Sequence, residues 1–353
     1  PVHVSSGHSS VSALLGKETY KKAKEILDSM TEEEKVAQMF IVCCPDTAAK
    51  DVALKYQFGG YILFARDFKE HDKQQMAAAI QEYQDVSKVP MFIGVDEEGG
   101  TVNRISLYKQ YREVPFWSPR DLFDEGGMEL IKSDTKEKCR LLSSLGINLN
   151  FAPVADISSD PADYMYPRTF GISAEETCKY VENVVSVMKE NGIGSVLKHF
   201  PGYGNNSDTH TGVAVDERSL KSLRENDFLP FESGIEAGAE VVLVSHNIVR
   251  SIDGEHPASL SLQVHNILRD EIGFSGLIIT DDLYMDAIRE YTHGQEAAVM
   301  AVLAGNDLLC CSDYQTQYPA VVQALKDGKI SENRVDESVM RILQYKISMG
   351  LMN

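Results

Sequence analysis

The chain reads as an α/β protein, a (β/α)8 TIM-type barrel in a single domain, and three observations predict this. Short apolar runs recur eight times, centred near residues 40, 62, 93, 150, 197, 243, 279 and 309. The runs are continuously apolar rather than alternating, as a parallel strand buried on both faces requires. Most of them are separated by stretches with helical periodicity, the order that builds parallel βαβ units. A doubly wound open sheet is the competing arrangement of the same units. It lacks the expected phosphate loop, because Gly202 and Gly204 follow a strand but Ser207 stands where the third glycine of G-x-G-x-x-G would be.

Thr31-Glu32-Glu33-Glu34 starts a helix, with Thr31 as cap and Glu34 at the third helical position. Residues 36–44 then lead into the first strand. Residues 61–64 form the second, and 71–86 a helix. The third strand, 91–95, ends at Asp96; a helix over 127–145 follows. The fourth, 147–154, ends near Asp156, and a helix over 174–191 precedes the fifth, 195–199. A helix over 220–237 comes before the sixth strand, 241–244, which ends at Ser245-His246. A helix over 262–272 leads to the seventh, 277–280, ending at Asp281-Asp282. A helix over 295–304, the eighth strand at 307–311 and helical patterns to Met349 complete the chain. Residues 1–15 are expected to be a polar tail, and 16–353 the barrel with extra C-terminal helices.

Composition narrows the function. At 353 residues one large domain or two ordinary ones would fit, so the eightfold pattern decides. Hydrophobic and charged contents of 43% and 25% are ordinary for a globular protein. A formal net charge of −19 argues against a nucleic-acid binder, which needs a basic face, and against docking to anionic lipid. No apolar run reaches the roughly 18 residues of a membrane span. Six cysteines include the pairs Cys43-Cys44 and Cys310-Cys311 within apolar runs, where a free thiol acts as a small hydrophobe. No zinc spacing occurs, and neither metal nor cofactor is expected. Pro1 in place of an initiator Met predicts a processed or trimmed start. The Ser/Gly-rich opening leans towards an exported or envelope-tethered protein; six cysteines lean towards the cytoplasm. Nothing in the sequence reports an oligomeric state.

Polar residues gather where such a barrel carries its active site, at the C-terminal ends of the strands. These ends carry Arg66 and Asp67, Asp96-Glu97-Glu98, Asp156, Lys198-His199, Ser245-His246 and Asp281-Asp282. Six such ends point to one shared pocket. A carboxylate-rich pocket without metal ligands suits sugars, and it suits glycosidic cleavage by a nucleophilic carboxylate and a proton donor. Asp281 is the best nucleophile candidate because the strand before it holds it rigidly, while Asp282 should point elsewhere. An Asp-Asp pair can also cap the following helix. In the loop after the fifth strand, Asp208 stands two residues before His210. A carboxylate-held imidazole can shuttle protons near neutral pH, though a D-x-H triplet is also common in plain surface loops. Gly202, Gly204, Asn205 and Asn206 make this loop a candidate to close over substrate.

At these residues the chain resembles family-3 glycoside hydrolases, in the branch of single-barrel β-N-acetylglucosaminidases. The matching segments are Val95-Asp96-Glu97-Glu98-Gly99-Gly100-Thr101-Val102-Asn103-Arg104, Arg168-Thr169-Phe170-Gly171, Lys198-His199-Phe200-Pro201-Gly202, Asp208-Thr209-His210 and Thr280-Asp281-Asp282-Leu283-Tyr284-Met285. They lie in the family's order between residue 31 and about 310.

The resemblance implies a retaining exo-acting β-N-acetylglucosaminidase acting on peptidoglycan fragments or chitooligosaccharides. Asp281 would form a covalent glycosyl-enzyme, His210 would act as acid/base, and Asp208 would orient it and stabilise its cationic form. Asp96, Arg104, Arg168, Lys198 and His199 would grip the hydroxyls of the cleaved sugar. Alternatives are a β-N-acetylglucosaminide phosphorylase, since an imidazole does not repel incoming phosphate, a β-glucosidase of the same family, or a non-catalytic carbohydrate-binding barrel. Three features depart from the family pattern. Tyr203 stands where a His is frequent, the 204–208 segment is about one residue shorter, and the residues after His210 differ. All three bear on the geometry of this loop.

Overall fold

Eight parallel strands, β1 Phe40–Cys43, β2 Gly60–Leu63, β3 Phe92–Val95, β4 Leu149–Asn150, β5 Gly194–Phe200, β6 Val241–Val244, β7 Leu277–Thr280 and β8 Leu309–Cys311, form one sheet in the computed structural model. The structure describes residues 7–171, 173–206, 208–210, 212–293 and 296–352. Neighbours run β8-β1-β2-β3-β4-β5-β6-β7. The sheet closes between β7 and β8, where Ile279 bridges Leu308 and the Asp307 and Leu308 N–H groups donate to the Ile278 carbonyl at 2.8 and 3.0 Å. That closure makes the sheet a barrel and excludes the open doubly wound arrangement.

Burial explains the continuous apolar runs. Every residue of β2, β3, β5, β6 and β7 is buried. Side chains on one face fill the barrel, and those on the other meet the surrounding helices. Each Val, Ile or Leu taken fully out of water stabilises such a core by roughly 1.5–3 kcal/mol.

Most expected elements appear in place. Thr31 closes a capping box with Glu34 at the start of helix Glu32–Gln38. Two elements differ in extent. The fourth strand was expected over 147–154, yet the regular ladder covers only Leu149–Asn150. Pro153 has no N–H to donate, so beyond it only Val154 bridges across to Lys198. The helix expected from Gly127 begins at Pro119, capped by the Ser118 hydroxyl and favoured by proline in the first turn; Gly127 instead kinks it, with φ 64°.

Helix Gly7–Ser29 begins inside the stretch expected to be a polar tail and packs against the C-terminal helix Glu332–Ser348, burying Ala23 and Leu27. Residues 1–6 of that stretch lie outside the described residues. So does Gln295, the expected start of the helix that runs over Ala297–Ala304. No helix among the described residues is long and apolar enough to cross a membrane.

Candidate active site

The C-terminal ends of the strands open into one cavity of about 560 Å³, within the range of small-molecule sites. Its walls include Asp96, Arg104, Arg168, Lys198, His199, His210 and Asp281. Seven of the eight residues singled out in the sequence therefore meet in one place. The eighth, Asp208, stands behind His210 and bonds to it.

On one side the cavity is built from compensated charges. Lys198, at the end of β5, places its ammonium 2.6 Å from both Asp96 Oδ1 and Glu98 Oε1, just beyond β3. Arg168, from the loop after β4, forks onto Glu98 with Nη2–Oε1 at 2.7 Å and Nε–Oε2 at 3.1 Å. Burial alone would push the Glu98 carboxyl up; the Arg168 and Lys198 charges outweigh it and hold that carboxyl below the usual range. Burial would likewise lower Arg168 and Lys198, but their carboxylate partners reverse the direction and keep both cationic. Arg104 Nη2 lies 3.9 Å from Asp96 Oδ2, and its buried Nε has no hydrogen-bond partner among the described residues. The Arg104 backbone N–H donates to Glu97 Oε2 at 2.8 Å, so the buried Glu97 shapes the loop that presents this arginine.

His199 is oriented by Asp156, in the segment that follows β4. Asp156 Oδ2 accepts from His199 Nδ1 at 2.7 Å and from its backbone N–H at 3.1 Å. Nδ1 is then the donor, which leaves Nε2 to accept from Arg168 Nη2 at 3.4 Å.

Asp281 stands directly after β7, partly open to the cavity. Its Oδ1 accepts the Asp282 N–H at 2.8 Å. Burial would push its carboxyl up, but the neighbouring imidazoles of His246, His199 and His210 and the Asp282 N–H outweigh it and hold the carboxyl below the ordinary range. The Asp282 carboxylate is spent on local bonds, although the residue also borders the cavity, beside Asp281. Its Oδ1 accepts the N–H groups of Tyr284 and Ser312, each at 3.0 Å, and its Oδ2 binds the Ser312 hydroxyl. Beneath this turn lies buried His246, which burial holds down towards the neutral form. Nε2 then donates to the Asp282 carbonyl at 2.9 Å and Nδ1 accepts from Ser259 Oγ at 2.7 Å.

His210 enters from the loop after β5. Asp208 Oδ1 accepts from its ring Nδ1 at 2.6 Å and from its backbone N–H at 2.9 Å. With Nδ1 committed to Asp208, Nε2 is the nitrogen that can give or take a proton. The loop leaves β5 through Gly202, whose φ of 114° suits glycine and where a Cβ would come within 2.5 Å of Asp227 Oδ1. Ser207, within the segment read as shortened, lies outside the described residues.

Of the six expected strand ends, Asp156 and Ser245-His246 stand behind the cavity wall rather than in it, and the end with Arg66 and Asp67 takes no part in the site. Arg66 pairs with Asp46, and Asp67 accepts the Phe64 N–H at 2.7 Å to cap the short helix Ala65–Lys69. Phe64 lines the cavity in their place. Conversely, Glu98, Asp156 and His246 take part in the site although they were noted only as polar strand ends. Tyr164 also lines the cavity, facing Asp208 and Arg168, and no sequence signal marked it. Among the described residues no group of three His, Cys, Asp or Glu side chains is placed to hold a metal, and all six cysteines are free.

Residues 31–345 match the Glycosyl hydrolase family 3 N terminal domain. Beta-hexosaminidase LpqI of Mycobacterium tuberculosis is 30% identical over 332 residues, covering 90% of this chain and 83% of its own. The solved structure of M. tuberculosis LpqI superposes with a TM-score of 0.81 at 28% identity, over 91% of this chain and 95% of that one. A family 3 beta-N-acetylglucosaminidase from Paenibacillus sp. str. FPU-7 superposes with a TM-score of 0.84 at 30% identity, over 92% of this chain and 63% of that one.

Proposed function

The chain belongs to glycosyl hydrolase family 3 and is a glycoside hydrolase, and from that premise we propose that it removes terminal β-linked N-acetylglucosamine with retention of configuration. The observation that carries this reading is the sharing of one cavity by ionised Asp281 and an Asp208-bound His210. The names of its relatives, a beta-hexosaminidase and a beta-N-acetylglucosaminidase, support the choice of sugar.

The chemistry takes two steps. In the first, Asp281 Oδ2 attacks the anomeric carbon. The glycosidic C–O bond breaks, its electron pair goes to the leaving oxygen, and that oxygen takes the proton from His210 Nε2. In the second, Nε2 removes a proton from water as the water oxygen attacks the same carbon. The bond to Asp281 breaks and the carboxylate returns. Two inversions leave the configuration unchanged. Asp208 keeps the imidazole in the tautomer that both steps need and stabilises the imidazolium. Asp96, Lys198, Arg168, His199 and Arg104 hold the sugar, and their mutual pairing arranges donors and acceptors before substrate arrives.

A panel of aryl β-glycosides (N-acetylglucosaminide, glucoside and xyloside) assayed with and without phosphate tests the proposal. We expect turnover of the N-acetylglucosaminide, the β-anomer released first by NMR, and no sugar 1-phosphate. Preference for the glucoside would move the substrate. Formation of sugar 1-phosphate would replace hydrolysis by phosphorolysis, and binding without turnover would leave a sugar-binding barrel.

A further inference from the structure

Tyr203 is built into the loop that carries Asp208 and His210. The Tyr203 phenol oxygen accepts the backbone N–H of Thr209 at 2.9 Å and lies 3.2 Å from Thr209 Oγ1. Thr209 is the residue between Asp208 and His210. Its carbonyl accepts the N–H of Ala287 at 3.3 Å, from helix Asp286–Thr292 beyond β7. The residue that joins the two members of the pair is therefore held at both its N–H and its carbonyl, once by Tyr203 and once by the element that follows Asp281.

The other end of Tyr203 is equally fixed. Its N–H donates to Asp156 Oδ1 at 2.7 Å, on the carboxylate whose second oxygen orients His199. Its ring is 4% exposed and packs with Val154 and Met165. At the loop entrance the Gly202 carbonyl accepts from Arg218 Nη2 at 2.9 Å, and Arg218 is itself held by Asp216 and Asp227.

We propose that Tyr203 is a positioning residue for the acid/base pair, its phenol oxygen fixing the Thr209 N–H and thereby the placement of His210 over the bond cleaved at Asp281. The inference rests on the reading of Asp208–His210 as acid/base. Burial pushes the Tyr203 phenol up to about 12, so the hydroxyl keeps its proton at neutral pH; its oxygen accepts the Thr209 N–H, and either hydroxyl can be the donor in its contact with Thr209 Oγ1. Phenylalanine would keep the ring packing and remove the phenol oxygen that makes this anchor.

The test uses the full chain with Tyr203→Phe, Thr209→Ala and His210→Ala. For each, kcat/KM is compared on a 2,4-dinitrophenyl N-acetyl-β-glucosaminide, whose leaving group needs no proton, and on the N-acetylglucosamine β-1,4 disaccharide, whose leaving group does. This ratio reports the first chemical step on both substrates. For Tyr203→Phe we expect a loss on the order of 10-fold or more on the disaccharide, carried by kcat with KM within about twofold, and a loss below about threefold on the aryl glycoside. Thr209→Ala, which keeps the N–H anchor, should lose less on the disaccharide.

Equal losses on both substrates, or no loss on the disaccharide, would overturn the proposal. So would a Thr209→Ala loss matching that of Tyr203→Phe. Selectivity in His210→Ala without selectivity in Tyr203→Phe would remove the role of Tyr203 alone. No selectivity in His210→Ala would remove the acid/base reading and the Tyr203 role with it.

Discussion

Glu98 and Arg168 meet in a forked ion pair, 2.7 and 3.1 Å between their paired atoms, across 70 residues of chain. The Glu98 side chain is 3% exposed and Lys198 bonds the same carboxylate, so a buried and a partly buried cation share one anion there. Removing one charge from such a set leaves the others uncompensated in a weakly screening interior, which costs about 3–5 kcal/mol where a buried pair is broken. Glu98→Gln should therefore lower stability by about that amount, read by denaturant unfolding. It should also reduce kcat/KM at least about tenfold, because Arg168 and Lys198 lose the group that aims them. Unchanged unfolding and unchanged turnover would show that Asp96 alone compensates both cations.

Asp156 links the sugar-gripping side of the cavity to the loop. One oxygen holds His199 and the other holds the Tyr203 N–H. Hydrogen bonds to charged groups contribute about 1.5–3 kcal/mol each. Asp156→Ala should thus raise KM through a misaligned His199 and lower kcat through the loosened loop, together on the order of 10²-fold in kcat/KM. A change confined to KM would uncouple the carboxylate from the loop.

Asp281 and His210 should separate by substrate. With Asp281→Ala no glycosyl-enzyme can form, and turnover should vanish on every glycoside. With His210→Ala the loss should follow the leaving group. In kcat/KM, which reports the first step, it should be about 10²- to 10⁴-fold for a sugar that needs a proton and small for an activated phenol, whose kcat still falls because His210 is also the base of the second step. Undiminished hydrolysis of the disaccharide by His210→Ala would assign the proton transfer to another group.

Fold and site were legible in the sequence to different depths. The eight strands were legible because both faces of a parallel barrel strand are buried, which leaves unbroken apolar runs such as Val241–Val244 and Leu277–Thr280. The cavity residues were legible as types at strand ends, because the barrel brings those ends together whatever the loops do. What each residue pairs with was not. Glu98 meets Arg168, and Asp156 meets His199, through approaches set by tertiary packing that spacing does not encode. Arg66 and Asp67 show the opposite error: the same residue types at a strand end were consumed by local turn chemistry, an ion pair with Asp46 and a helix cap. Tyr203 stood out only as a departure, and its bond to Thr209 gives that departure a physical role.

Away from the cavity, Lys346 on the C-terminal helix is fully buried. It donates to Gln38 Oε1 and to the Gly59 carbonyl, each at 2.9 Å, and lies 4.8 Å from the centre of the Phe92 ring. Burial pushes its ammonium down from 10.5 to about 7, because two neutral acceptors do not replace the water it has lost. The sign of the linkage follows. Between about 7 and 10.5 the unfolded chain binds this proton and the folded chain does not. The lysine contribution to unfolding free energy therefore rises with pH across that window, by up to about 1.4 kcal/mol per unit, and is flat on either side of it. Lys346→Met removes the titrating group and fills a similar volume. The difference in unfolding free energy between variant and parent should be largest near pH 7 and shrink steadily towards pH 10, with the variant the more stable at the lower end. A difference that stays constant across the window would mean that Gln38 and Gly59 keep the ammonium charged in the fold.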